Sequence, residues 1–406
     1  MTTRTLRIAR WTLVAVALVL APGGHALADE DAVPAPVDEP RAAEPAADRL
    51  QPLEIPLDGP SLSIAGQFFG GYTSELRQDA PPDAWTLDRA DLGLTWTQPF
   101  RLRTSGTDMR AGGELSLEAF RSTEPDALQS GGGSILLRAR RAWAFSESDH
   151  GRLTSGAGVG LVPDAWIHTL EARYDLRSMA PTLGERGGFY DTSDLGALLW
   201  FDFAERLRLD MGFTNGEGRT LGEQNVGKNL TAVLTGVPLA LDVHRGPLSI
   251  AVHAAYRDGS IGAADVRDHR ISGGLTFVGP CPRAGFEMHR AIGYLGRADV
   301  IAQGFGVWAN SYLGTPWVAV AVRYDQLQSD VDVADSVARR TTLALYSGDF
   351  GVNDRTNRVT TRMYVGVELD RYDDGATSFA GAAEAVDTER FFVRFAFDGH
   401  RLFEFQ

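Results

Sequence analysis

Charged residues recur at every second position in several stretches of this 406-residue chain. Arg206, Arg208 and Asp210 form one such series; Arg323 with Asp325, Arg362 with Glu368, and Arg394 with Asp398 form others. Side chains two apart share one face of a β-strand, so each series makes a polar face that opposes an apolar one. In 317–325, for example, Val318, Val320, Val322 and Tyr324 oppose Ala319, Ala321, Arg323 and Asp325. Guanidinium and carboxylate groups held on such a face carry fixed charge of both signs. They set a local field that sorts solutes by charge and shape.

Bond-making constellations have no comparable support. The eight histidines are scattered without HxxxH or HExxH spacing, and no GxSxG elbow exists for a serine hydrolase. The single cysteine, Cys281, lies in the turn-like string GPCPR and can form neither an intramolecular disulfide nor a multi-cysteine zinc site. The string NGEG (215–218) with Glu223, Asn225 and Asn229 supplies oxygen ligands for calcium, but a plain polar loop accounts for it as well. No catalytic residue, metal ligand or cofactor is assigned, and the chain is not read as an enzyme.

The elements that must position the charges are strands. From Ser61 onward, alternating runs are separated by clusters of Gly, Pro, Asp, Asn and Ser. Sixteen runs are expected, with a tolerance of fourteen to eighteen: 61–76, 85–98, 109–120, 135–145, 152–162, 193–203, 206–214, 229–237, 247–257, 270–278, 284–295, 301–313, 317–327, 339–346, 359–370 and 390–405. Short and long connections alternate between them, with 99–108 and 347–358 the exceptions. Phe391, Val393, Phe395 and Phe397 share one face of the closing run and Phe392, Arg394, Ala396 and Asp398 the other. That run can pair with 61–76 and remove both sheet edges. Trp96, Phe100, Trp143, Phe145, Trp200, Phe201, Phe203, Phe277, Tyr312 and Trp317 cluster beside the short turns, as an interfacial aromatic girdle would.

The amino-terminal part points to export. Arg4, Arg7 and Arg10 precede an apolar run and the cleavage-type string Ala26-Leu27-Ala28, so residues 1–28 read as a signal peptide. Residues 29–60 are rich in Pro, Ala and acids and cannot bury enough apolar area to offset their ordering entropy. They read as a flexible periplasmic leader, and 61–406 as the barrel. Losing the three signal arginines would take the net charge from −14 to about −17, which gives no electrostatic case for nucleic acid.

Two strings, LDRADLGLTW (87–96) and LLRARRAWAF (136–145), resemble the arginine-alanine strand openings of outer-membrane porins related to the phosphate-selective porin O/P group. The stretch from Asp194-Leu195-Gly196 through NGEG and GKNL (227–230) to Pro238 is similar to the middle of those barrels, and the likeness runs over about 61–406. The resemblance implies a homotrimer of barrels in which the third external loop folds inward. Here that loop falls on 163–192 and carries Glu171, Arg173, Asp175, Arg177, Glu185, Arg186 and Asp191 as candidate constriction residues. Part of it, 165–177, could form a helix capped by Asp164; the alternative is a loop that stays outside the lumen. Candidate lumen-lining residues are Arg138, Arg140, Arg206, Arg208, Asp210, Arg323, Asp325, Arg362, Glu368, Arg394 and Asp398. Arginine and lysine ladders bind anions in the phosphate-selective members. This chain has one lysine, Lys228, and interleaves its arginines with acids, which argues against strong anion selectivity.

The expected protein is therefore an all-β transmembrane antiparallel barrel in the outer membrane. It contacts outer-membrane lipids and passes small hydrophilic solutes or ions by passive diffusion. A closed structural or adhesive barrel, and a secreted soluble all-β binding protein, are the competing readings. On the barrel reading, arginine at outward Val320 costs stability, whereas arginine at inward Ala321 alters conductance with little loss of stability.

Overall fold

The computed structural model describes residues 60–405, except 77–83, 102–106, 122–134, 172, 175, 178, 205, 217, 219–226, 244–245, 263, 280–281, 314–316, 348–357 and 380–384. The expected signal peptide, nearly all of the expected leader, and Cys281 lie outside the described residues.

The first half of the chain supplies β1 (Ser61–Glu75), β2 (Ala84–Arg101), β3 (Asp108–Arg121), β4 (Ile135–Asp149) and β5 (Leu153–Pro163). After a long connection come β6 (Ser193–Phe203), β7 (Leu207–Thr214), β8 (Asn229–Val243) and β9 (Gly246–Asp258). Two short strands, β10 (Ser260–Ile261) and β11 (Val266–Arg267), pair only with each other in the next connection. The second half adds β12 (His269–Val278), β13 (Arg283–Ile292), β14 (Ile301–Tyr312) and β15 (Val318–Gln328). It ends with β16 (Val337–Ser347), β17 (Arg358–Tyr372) and β18 (Thr388–Phe405).

Apart from β10 and β11, these strands close one antiparallel barrel of sixteen, with β9 beside β12 and β18 beside β1. The closing pair runs from Leu62↔Phe405 to Glu75↔Arg390 with one register shift, between Ile64 and Gly66, so neither strand leaves an open edge. All sixteen expected runs are present, most of them extended by a few residues. The expected 284–295 instead ends at Ile292, where the chain turns so that Tyr294 reaches inward. Strand residues take up much of 99–108, since β2 runs to Arg101 and β3 starts at Asp108; ten residues, 348–357, separate β16 from β17.

Alternation decides which way each side chain points. Along β9, Val252 and Tyr256 are 49% and 45% exposed, while His253, Ala255 and Arg257 on the alternate face are buried. Outward residues around the barrel are apolar, as with Leu199, Val307, Leu343, Met363 and Phe395. An apolar band of that extent suits hydrocarbon and not water.

Three of the aromatics expected in the girdle point inward instead. Trp143, Phe145 and Trp200 form one cluster inside the wall, with ring centroids 5.1, 6.0 and 6.4 Å apart. Their indoles donate to carboxylates of the same inner face, Trp143 to Glu114 (3.0 Å) and Trp200 to Glu147 (3.1 Å). Glycines on neighbouring strands make the room. A Cβ at Gly156 would lie 2.1 Å from the Trp200 ring, at Gly158 2.3 Å from Trp143, and at Gly112 2.7 Å from Phe145. Trp96, Phe203, Tyr312 and Trp317 do face outward or sit at the short-turn rim, exposed.

Two interruptions of the ladders matter for the interior. The β3–β4 register shifts between Ser116 and Leu117, opposite Arg141 and Ala139, so Arg140 is the extra residue of a bulge. The β8–β9 register shifts between Gly236 and Leu239, where Pro238 offers no N–H to the ladder.

Candidate functional site: the segment between β5 and β6

Residues 164–192 leave β5 and return to β6 through the interior of the barrel. The Asp164 N–H donates to the Thr192 carbonyl (3.1 Å), which joins the two ends of the segment at its root. Asp164 also starts helix α1 (Ala165–Glu171). Its Oδ1 accepts from the N–H groups of Trp166 (2.9 Å) and Ile167 (3.2 Å), satisfying donors that the first turn leaves without partners. The helix is shorter than the expected 165–177. A single helical turn, α2 (Leu183–Arg186), follows, with Thr182 as its cap.

Two apolar clusters hold the segment in place. Trp166, Ile167, Leu170, Leu183, Phe189 and Tyr190 pack with inward residues such as Leu198, Val233, Ala255 and Leu327. Tyr174, Leu176 and Met179 pack with Phe69, Trp308, Ala321, Tyr346, Tyr364 and Phe392 on the far wall. The lumen is an aqueous space when empty, so these side chains leave water on docking, about 1.5–3 kcal/mol for each large one fully buried.

Polar contacts fix the register. Glu171 accepts from Arg140 (2.5 Å) and Arg141 (2.6 Å) of β4 and pairs with Arg177 of its own segment. Arg177 also reaches Glu185 (3.0 Å), and Arg186 pairs with Asp325 of β15 (3.0 Å). Arg173 donates to Ser249 of β9 (3.4 Å). Asp191 lies apart from these at the root, where its carboxylate accepts from the Thr192 N–H (2.6 Å) and abuts Gly218. Asp175 lies outside the described residues.

The lumen candidates divide likewise. Arg138 pairs with Glu118 (3.1 Å), Arg140 with Asp91 (3.1 Å), and Arg208 with Asp210 (2.8 Å). Arg323 is wholly buried and bound to Asp325 (2.7 Å) and Glu287 (3.1 Å), with the Tyr174 hydroxyl as a further partner. Glu368 lies near Arg390 (3.5 Å) and Arg340 (3.8 Å). Arg394 donates to the Met179 carbonyl and covers the Phe392 ring; Arg362 lies over Tyr346. Arg206 departs from expectation, because it occupies the exposed turn before β7 and not the strand's inner face. The side chain of Asp398 lies outside the described residues, although its backbone faces Thr360 and Gln67.

Several residues that organise the site were not singled out from sequence. Glu287 accepts from the Leu183 (2.6 Å) and Gly184 (3.2 Å) N–H groups at the start of α2. His289, two residues on, gives its Nε2–H to the same carboxylate (3.0 Å). With a neutral ring, its Nδ1 accepts from Ser272 (2.8 Å), which in turn accepts from the Tyr190 hydroxyl (2.8 Å). Arg257 pairs with Asp164, donates to Thr231 (2.9 Å) and covers the Tyr190 ring at 4.8 Å. The Glu287–His289 spacing of two was the available signal.

Burial shifts several groups of the segment, among them His168 and Asp164. It pulls His168 down to about 4, with the nearby Arg141 guanidinium acting in the same direction. It pushes the Asp164 carboxyl up, against the opposing pull of Arg257.

No protein-family model and no curated protein matches the chain. Solved structures do. The anion-selective porin from Comamonas acidovorans is 16% identical with a TM-score of 0.55, over 84% of this chain and 99% of that one. The Salmonella typhi OmpF complex with daunomycin is 15% identical with a TM-score of 0.55, over 85% of this chain and 99% of that one. At such identities the likeness establishes the fold: a sixteen-stranded barrel of the porin type.

Proposed function

We propose that the chain is a porin-like channel of the outer membrane, through which small hydrophilic solutes or ions diffuse passively. The observation that carries this reading is the division of the barrel into an exposed apolar outer face and a charged inner face. A soluble all-β binding protein would bury that outer face against a second layer. The segment 164–192 is the element that narrows the passage, with Glu171, Arg173, Arg177, Glu185 and Arg186 among its charged members. The same reading places the chain among outer-membrane lipids after export, and includes assembly as a homotrimer.

Strong selectivity for phosphate, as in the group whose strand openings this sequence resembles, is not part of the proposal. Inward arginines 138, 140, 208 and 323 each meet a carboxylate within 3.1 Å. Fixed charges neutralised in pairs leave a weak net field for attracting anions.

Fractionation is the first test. The protein should stay with the outer membrane and migrate faster on gels when unboiled; a soluble protein does neither. Conductance in planar bilayers is the second, measured on the full chain and on a variant with 165–191 replaced by a short Gly-Ser turn. Folded barrels of both kinds giving no current steps would rule the channel out.

A further inference from the structure

The segment between β5 and β6 does more than line one side of the lumen. From a root on β5 and β6, it touches inward residues of β4, β9, β12, β13, β15 and β18 through polar contacts. It sets Tyr174 edge-on to Trp308 of β14 with ring centroids 5.1 Å apart, and α1 packs on β7 and β8. The contacts also extend along the barrel. Near the short-turn rim, Ala319 and Ala321 are completely buried, in one cluster with Leu176 and Met179. At mid-height, Arg323, Asp325 and Glu287 are no more than 1% exposed. An aqueous pore would leave such wall residues wet.

The geometry points to a barrel that is closed at rest by its own β5–β6 segment, with Glu171 as the latch. This deepens the channel reading and rests on it. Glu171 is suited to that role because it joins the segment to β4 through Arg140 and Arg141, and β4 meets the apolar clusters only through the partly buried Trp143 and Phe145. Breaking the remaining pairs at once requires moving nine large apolar side chains back into water, whereas releasing Glu171 frees one edge. Arg177 bridges Glu171 to Glu185, so the latch is coupled to α2 within the segment. Passage of a solute then requires the edge carrying Glu171 and Arg177 to withdraw from β4.

Bilayer recordings on three proteins test this. The full chain should be shut most of the time, with brief openings. Glu171→Gln, which keeps the side-chain shape and removes the charge, should raise the open fraction at least about tenfold, the scale expected when one partner of a buried ion pair is neutralised. A Leu183→Cys/Gly306→Cys pair in a Cys281→Ser background should shut the channel further when oxidised and recover on reduction. A Cβ at Gly306 would lie 3.3 Å from that of Leu183, close to disulfide reach. A steadily open full chain, indifferent to Glu171→Gln and to oxidation of the pair, overturns the closure. Absence of current from the variant lacking 165–191 would instead overturn the channel reading on which it rests.

Discussion

Arg257 shows at one residue how the segment is bound. Its guanidinium meets Asp164, Thr231 and the Tyr190 ring in one buried site. Removing one partner of a buried pair strands the other charge, at a cost of about 3–5 kcal/mol. Arg257→Met should therefore loosen the root of the segment and expose it to protease, while adding Asp164→Asn should recover much of the loss. Equal protease sensitivity in the single and double variants would show that the stranded carboxylate is not the cause. His168 makes a second prediction at this scale. The docked segment holds it neutral down to about 4, among Arg141, Arg208, Asp210 and Glu114, while a free histidine titrates near 6.5. Its contribution to docking is complete above about pH 6.5 and falls as pH drops towards 4, by up to about 3 kcal/mol. The raised Asp164 carboxyl works in the opposite direction, since protonating it favours the docked state. The two effects are separated by His168→Gln: protease sensitivity of the segment should rise on acidification in the wild type and lose that slope in the variant.

At the scale of the strands, the packing of rings over glycines is the feature most open to measurement. A Cβ at Gly156 would meet the Trp200 ring at 2.1 Å, so Gly156→Ala forces a shift worth about 1–3 kcal/mol. Made in a Trp200→Ala background it should cost much less, a coupling of about 0.5–3 kcal/mol in a double-mutant cycle of thermal unfolding. Additive losses would mean that the ring does not rest on Gly156. These same residues explain what could be read from the sequence. Period-two alternation in strands such as 317–327 and 359–370 carried the strand number and the faces, because one side must be apolar throughout. It failed at Arg141, which strict alternation sends outward; the bulge at Arg140 turns both arginines towards Glu171. It failed also for Trp143, Phe145 and Trp200. Rings beside short turns suit a membrane interface, and only the glycines on the adjacent strands reveal that the inner wall has space for them. Strand spacing alone does not say where a 29-residue connection goes, so the contacts of Tyr174, Leu176 and Met179 across the lumen had no local signal.

For the whole molecule, the decisive question is what lies on each side of the wall, and β15 poses it at adjacent residues. Val322 is 45% exposed on the outer face, and Ala321 is completely buried on the inner one. Arginine at Val322 places a charge in hydrocarbon near the middle of the strand, a cost of about 2–4 kcal/mol at the bilayer midplane. Conductance and the docking of 164–192 should be unaltered, because nothing inside the barrel changes. The expectation that Ala321→Arg would be mild assumed a water-filled lumen at that level. Packing corrects it, since Ala321 lies in one cluster with Leu176, Met179, Trp308 and Tyr346. A guanidinium there has neither water nor room, and overfilling a packed interior costs about 1–3 kcal/mol before the charge is counted. That energy is released by expelling the segment, not by unfolding the sixteen-stranded wall. Ala321→Arg should therefore leave the unboiled gel shift intact while raising both permeability and protease cleavage within 164–192. Val322→Arg should lower the temperature at which the gel shift is lost and change neither. If both variants lower that temperature alone, the segment is not packed against β15 in the membrane.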